Sequence, residues 1–275
     1  MSETNTALWQ QRYRASDEAG APLALDAVTA TLLNHRSVRA YLDRPLPSGT
    51  LETLLGAAQS AATSSNLQVW SLLAVEDPER KARLATLAGD QAHIRQAPLF
   101  LVWLADFSRI QRRAEQQDVQ LQALDYLDSV LMGGIDSALA AQNAVIAAES
   151  LGLGTVYIGA LRNNLQAVIE ELQLPPWVFP VFGLCVGYPD PDKPAAIKPR
   201  LPQSLVLHRE TYAVHAQEAQ LIDDYDRAIV GFFAEQGQGS PGWSRQALER
   251  LRSTDSLHGR DRLAGVIRAQ GFAMR

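Results

Sequence analysis

Ala141-Gln142-Asn143-Ala144-Val145-Ile146-Ala147-Ala148-Glu149-Ser150-Leu151-Gly152-Leu153-Gly154-Thr155-Val156-Tyr157-Ile158-Gly159 passes from a helical period to a strand across two glycines. Its first part continues a helical pattern that starts near residue 126, with Leu131, Ile135, Leu139, Gln142 and Ile146 on one stripe and flanks rich in alanine. Small residues permit close approach, so the spacing predicts a central helix over 126–151 that touches another helix or a partner subunit. Gly152 and Gly154 end it, because glycine accepts the left-handed turn that closes a helix. Residues 155–159 then read as a strand.

The same alternation holds outward in both directions. Leu25, Val28, Leu32 and Leu33 repeat at helical spacing and run into His35-Arg36-Ser37-Val38-Arg39, so the cations sit at the helix C-terminus, where they are favourable, or in the loop that follows. Pro47-Ser48 opens a helix with Leu51, Leu54, Leu55 and Ala58 on one face, which closes in the polar run 60–66. A strand over 69–75, a short helix from Asp77-Pro78 through Leu87 and a buried strand over 98–105 follow. Past residue 159 come a helix over 165–172, a strand over 178–187 and an extended segment, 189–202, with five prolines that bar it from a central strand. Leu221, Tyr225, Ile229 and Phe232 mark a helix within 213–236, and the Arg-rich residues 243–275 read as helical with a break at 253–256. Helices packed on a sheet are the expected architecture. Residues 1–24 carry few apolar side chains and read as an arm outside the first packed element; residues 25–275 read as one domain with a C-terminal helical extension.

Composition narrows the function. A chain of 275 residues with 47% hydrophobic content can build a large core, and a net charge of -5 gives no global basic field for nucleic acid or an anionic membrane. A basic site must therefore be local. Two compact clusters qualify, His35-Arg36-Ser37-Val38-Arg39 and Lys198-Pro199-Arg200. Arginine offers a rigid donor fork matched to phosphate and lysine adds a point charge, so the pair suggests one anion held by both; solvated basic turns are the alternative. The single cysteine, Cys185, excludes an internal disulfide and lies in an apolar strand that disfavours a thiolate, which makes it a small buried hydrophobe. A polar N-terminus and the lack of an unbroken apolar run of about 18 residues point to a soluble cytoplasmic protein. No dinucleotide glycine fingerprint, phosphate-loop lysine motif or Gly-x-Ser-x-Gly elbow occurs, and the histidines show no zinc spacing, so no metal is expected. What remains is an enzyme whose side chains supply position and charge while a phosphorylated cofactor carries the chemistry.

With His35-Arg36-Ser37-Val38-Arg39, Ser64-Ser65-Asn66-Leu67-Gln68, Gly89-Asp90-Gln91, Ala141-Gln142-Asn143-Ala144, Ala148 to Gly154, Tyr157 to Asn164 and Lys198-Pro199-Arg200-Leu201-Pro202 in this order, the chain resembles the FMN-dependent nitroreductases. Within them it is similar to the NADPH-preferring, oxygen-insensitive branch that includes flavin reductases. The resemblance implies an α+β fold, a central mainly antiparallel sheet flanked by helices, in an interlocked homodimer with non-covalent FMN at the interface. It places the FMN phosphate and ribityl chain on His35, Arg36, Ser37, Lys198 and Arg200. Arg39 then faces the flavin's pyrimidine edge, where a cation raises electron affinity in a partly desolvated pocket. Thr63, Ser64, Ser65 and Gln68 line the cofactor from the partner subunit, Gln91 reads the ring, and Tyr157, Ile158, Gly159 and Ala160 run beside the isoalloxazine. Arg260 and Arg262 are candidates for the NADPH 2'-phosphate.

The implied activity is NADPH-dependent, two-electron ping-pong reduction of nitroaromatics, quinones or free flavin, without a protein acid or base. A dedicated flavin reductase and a flavin-binding redox module without turnover are the competing readings. The chain departs from the branch at Asp90, Asn66 and Ala160, where the branch carries Gly, an aromatic residue and Gly, and its arm has no counterpart there.

Overall fold

An eight-residue apolar run, Leu99–Asp106, is buried at every position and forms an inner strand of the sheet. The computed structural model describes residues 3–14 and 26–275. Its helices are α1 (Glu3–Arg12), α2 (Ala27–Leu33), α3 (Thr50–Gln59), α4 (Pro78–Leu87), α5 (Ala92–Gln96), α6 (Ser108–Gln116), α7 (Leu127–Ser150), α8 (Leu165–Glu171), α9 (Glu218–Glu235), α10 (Trp243–Leu251) and α11 (Leu263–Ala269). Its strands are β1 (Trp70–Val75), β2 (Leu99–Asp106), β3 (Gly154–Ile158) and β4 (Val178–Gly187). The chain divides into two compact units, Ser37–Ala195 with Leu257–Arg275, and Met1–Arg36 with Ala196–Ser256.

The sheet belongs to the first unit, runs in the order β1-β2-β4-β3 and is antiparallel throughout. Alternation along β2 sends Phe100, Val102 and Leu104 to a core shared with Leu84, Ile94 and Val168 from α4, α5 and α8. Leu101 and Trp103 face the other way, onto Leu54 and Ala58 of α3 and the alanines of α7. The β2–β4 register slips between Trp103 and Leu104, which brings Pro180 opposite Leu104. Proline is tolerated there because β3 pairs only with residues 183–187 of β4, so no ladder donor is missing beside it. The free carbonyl of Val181 accepts from the Arg162 guanidinium instead.

Helix α7 lies where the spacing predicts, and its small-residue face is the one that meets the sheet and α3. The buried face is small and polar: Gly133, Asp136, Ser137, Ala140, Ala141, Ala144 and Ala148. The reason is proximity to the sheet, since a Cβ at Gly133 would fall 2.8 Å from the Cβ of Ala105. The larger residues Leu131, Ile135 and Leu139 are therefore 53%, 56% and 44% exposed. Among the described residues α7 alone is long and apolar enough to cross a bilayer, yet its packing on α3 and the sheet makes it a core helix. The C-terminus belongs to the same unit: Phe272 is fully buried against Phe107, Trp177 and Phe179.

In the second unit, α9 buries Leu221, Tyr225, Ile229 and Phe232 as its spacing predicts. Asp226 accepts from the Ser244 backbone N–H at 2.8 Å and starts α10. Part of the expected arm, residues 3–14, is described. Residues 3–12 are helical, and Arg12 is 5% exposed, held by backbone carbonyls that an apolar pattern could not foretell. The remainder of that arm, residues 1–2 and 15–24 with Gly20-Ala21-Pro22, lies outside the described residues, as does Leu25.

Candidate functional site

In the sheet unit, Ser37 and Val38 form a short extra strand at the edge of β3. Ser37 bridges Thr155 in parallel, and the Val38 N–H donates to the Thr155 carbonyl at 2.9 Å. Such an approach requires glycine at 154, where a Cβ would lie 2.7 Å from a Val38 methyl. The Tyr41 hydroxyl donates to the Val38 carbonyl at 2.8 Å and fixes the next turn; burial raises its phenol above the ordinary value. Arg39 is exposed. Burial lowers the pKa of His93 and the Arg39 charge adds to the shift, so the neutral ring is favoured and Arg39 shares an electrostatic neighbourhood with the Gln91–His93 turn. The Nε2 atom of His93 is buried without a hydrogen-bond partner among the described residues.

The serine run forms a strained loop held at both ends. Ser65, Asn66 and Gln68 have φ of 47°, 55° and 52°, a left-handed conformation that costs non-glycine residues roughly 1–2 kcal/mol each. Asp136, 1% exposed on α7, accepts from the Thr63 hydroxyl at 2.6 Å and the Ser64 N–H at 3.0 Å. At the other end Arg109 donates to the carbonyls of Gln68 and Trp70, both at 2.8 Å, and to Ser71 Oγ and Asp106. The side chains of Ser64, Ser65 and Gln68 are exposed, and Thr63, Asn66 and Gln68 border an open cavity of about 680 Å³. Sequence reasoning missed Asp136 and Arg109 as supports; the only signal was one carboxylate inside an alanine-rich helix.

Burial raises the Asp106 pKa, but the hydroxyls of Ser108 and Ser71 and the Arg109 guanidinium outweigh it and hold the net value below the ordinary carboxylate range. A folded-state pKa below the unfolded one stabilises the protein above that range, and the contribution is lost as pH falls through the folded value. Wild type should therefore lose stability below about pH 4 more steeply than Asp106→Asn; urea midpoints from pH 7 to pH 2.5 check this, and parallel curves would reject it.

At the start of the flavin-like strand motif, Tyr157 projects from β3 with its ring edge-on to Phe182, and burial raises its phenol pKa. Ile158 and Ala160 are buried. A Cβ at Gly159 would stand at ordinary contact distance, 3.4 Å, from the Arg162 guanidinium. Arg260 Nε donates to Asn163 Oδ1 at 2.9 Å, while Arg262 is exposed beside Gly259. Cys185 is buried, and its thiol is pushed up by that burial, as expected of a packing residue.

The remaining cations lie in the other unit. Arg36 is exposed and reaches Asn34 Oδ1 at 3.1 Å; His35 is half-buried. Lys198 and Arg200 are exposed, with Lys198 Nζ 5.0 Å from the Phe233 ring centroid and the Pro199 carbonyl accepting from Tyr225 at 3.0 Å. Both backbone segments meet on Arg12, which donates to the carbonyls of Leu33, His35 and Lys198, each at 2.8 Å. The structure thus joins the segment of His35 and Arg36 to that of Lys198 and Arg200 through their backbone, while the Arg200 guanidinium donates to the carbonyls of Lys198 and Pro199 at 3.1 and 3.3 Å. Four cationic or donor side chains on two joined segments suit a phosphate.

The sequence model of the Nitroreductase family matches residues 32–188, and that of the Nitroreductase family C-terminal domain matches residues 198–275. The chain belongs to the nitroreductase family. It is 39% identical over 246 residues to a Bacillus subtilis protein named FMN reductase (NADPH), covering 88% of this chain and 96% of that one. An oxygen-insensitive NADPH nitroreductase of Salmonella typhimurium is 38% identical over 248 residues, 89% of this chain and 97% of its own. Among solved structures, NfrA2 of B. megaterium superposes with a TM-score of 0.85 at 40% identity, covering 91% of this chain and all of the other. The NADPH:FMN oxidoreductase of Vibrio harveyi does so with a TM-score of 0.79 at 35% identity, covering 91% and 100%.

Proposed function

We propose that this chain is an NADPH-dependent FMN oxidoreductase that reduces nitroaromatics and quinones by two-electron ping-pong transfer. The observation that carries the reading is the anion cluster: His35, Arg36, Lys198 and Arg200 stand on two segments joined through one buried guanidinium. When bound, FMN supplies hydride acceptance from NADPH and delivery of two electrons to the acceptor. The protein's part is binding and electrostatics. His35, Arg36, Ser37, Lys198 and Arg200 hold the phosphate and ribityl chain, and Arg39 sets a positive potential at the ring. Gln91 reads the ring edge, Tyr157 to Ala160 offer it a flat backbone, and Thr63, Ser64, Ser65 and Gln68 close over it from a second copy. Arg260 and Arg262 are the candidates for the NADPH 2'-phosphate. Since Arg260 already holds Asn163, neutralising the two separately and comparing NADPH KM ranks them.

A second copy also accounts for the exposed stripe of Leu131, Ile135 and Leu139, whose burial in a homodimer stabilises association by about 25 cal/mol per Å² of apolar surface. Gel filtration should give twice 30.1 kDa. A lone buried cysteine suits a reducing, cytoplasmic setting. A flavin reductase with free FMN as acceptor is the second reading, favoured by the names of the Bacillus subtilis relatives; turnover on nitrofurans, quinones and free flavins ranks the two.

The direct test is a visible spectrum followed by NADPH oxidation with a quinone. Purified protein should be yellow or take up added FMN, and oxidation should continue far past one equivalent. A colourless protein that binds no FMN rejects the reading, and a single stoichiometric reduction makes the chain a redox module. Arg200→Ala should weaken FMN binding by about 1.5–3 kcal/mol, the usual value of a charge-assisted contact; an unchanged Kd rejects that role.

A further inference from the structure

We infer that Arg12, on the N-terminal helix α1, is a positioning residue that fixes the two phosphate-binding segments against each other. It lies outside the stretch matched by the family model, which starts at residue 32. Arg12 touches none of the proposed ligand's binding side chains' charged ends through these bonds; it acts on the backbone that carries them. Nη2 donates to the carbonyls of Leu33 and His35, at the end of α2, and Nη1 to the carbonyl of Lys198, all at 2.8 Å. The Leu33 carbonyl is among the acceptors that a helix C-terminus leaves without an internal partner, and a cation there is favourable.

The second segment is gripped on both sides of Pro199. Arg12 takes the Lys198 carbonyl on one side, and its own carbonyl accepts from the Arg200 N–H at 2.9 Å on the other. The carbonyl of Pro199 between them accepts from Tyr225. A planar guanidinium with five donors can serve carbonyls from two chain segments at fixed angles; an ammonium carries the charge without the fork. The turn that follows α1 is tied to α9 by the Arg14–Glu235 ion pair at 2.7 Å, and Gln203 reaches Tyr13 at 3.4 Å. Truncating Arg12 therefore lets the His35-Arg36 and Lys198-Arg200 segments move independently, and a phosphate that needs both loses their joint geometry.

The inference rests on the FMN reading, and the experiment separates the two. Apo-protein is titrated with FMN and with riboflavin, which lacks the phosphate, by flavin fluorescence in wild type, Arg12→Ala, Arg12→Lys and Arg200→Ala. Arg12→Ala should weaken FMN about tenfold and riboflavin less than about twofold, with Arg12→Lys in between. If Arg12→Ala does not fold, the ratio in Arg12→Lys decides. Equal weakening of both flavins would mean a general loosening and overturn the positioning role. Unchanged FMN affinity in the Arg12 variants, with Arg200→Ala still selective against FMN, overturns this inference alone. Arg200→Ala with an unaltered preference for FMN over riboflavin overturns the phosphate assignment beneath it.

Discussion

Phe272→Ala is expected to destabilise the protein by about 3–5 kcal/mol, the range for emptying a fully buried aromatic site. Phe272 is 0% exposed and meets Trp177, Phe179 and Phe107 edge-on, with centroids 5.2, 5.3 and 5.7 Å away. Edge-to-face geometry adds to the area buried, so all three partners lose contacts at once. The same ring pins the end of the chain. Trp177 N–H donates to the Gln270 carbonyl at 2.7 Å and Arg275 N–H to the Asp125 carbonyl at 2.8 Å, bonds that stay aligned only while the ring is seated. Urea unfolding should show the loss, with a Tm drop on the order of 10 °C, and Phe272→Leu should recover most of it. A loss under about 1 kcal/mol would mean the tail is not docked.

That cluster marks a boundary of what the sequence discloses. From residue 26 to 187 the periods of 2 and 3.6 placed β1 to β4, α3, α4, α7 and α8 within a residue or two of where they lie, because each buries an apolar face. Helices α5 and α6 gave no such signal: α5 is five residues long, and α6 buries only Ser108 and Ala114. Helix α1 is invisible for a related reason, since its anchor is a buried arginine satisfied by carbonyls from residues distant in sequence. On α7 the pattern located the helix and its leucine stripe but left open which face meets the sheet; proximity there selects small side chains and sends the stripe outward. The cationic clusters and the serine run stand out in the sequence, but their supports do not. Arg12, Arg109 and Asp136 act through contacts that span 21 to 186 residues.

Asp136→Ala is the variant that asks whether such a support matters for function. Removing the carboxylate leaves the Thr63 hydroxyl and the Ser64 N–H without their acceptor in a nearly closed site, a loss of about 2–4 kcal/mol for two charge-assisted bonds. The loop above it cannot absorb this quietly. Ser65, Asn66 and Gln68 are held left-handed, and with one anchor gone the strain relaxes toward extended backbone. Because Arg109 still grips Gln68 and Trp70, the far end and β1 should stay in place. The expected outcome is a lower Tm together with a raised KM for the electron acceptor and an FMN-over-riboflavin preference close to wild type, since the phosphate cluster is untouched. Asp136→Asn keeps one carbonyl oxygen for the Ser64 N–H and an amide that the Thr63 hydroxyl can accept from, so it should recover most of the stability and the KM. Wild-type KM in a destabilised Asp136→Ala protein would separate the carboxylate from the loop's function and leave it a purely structural bond.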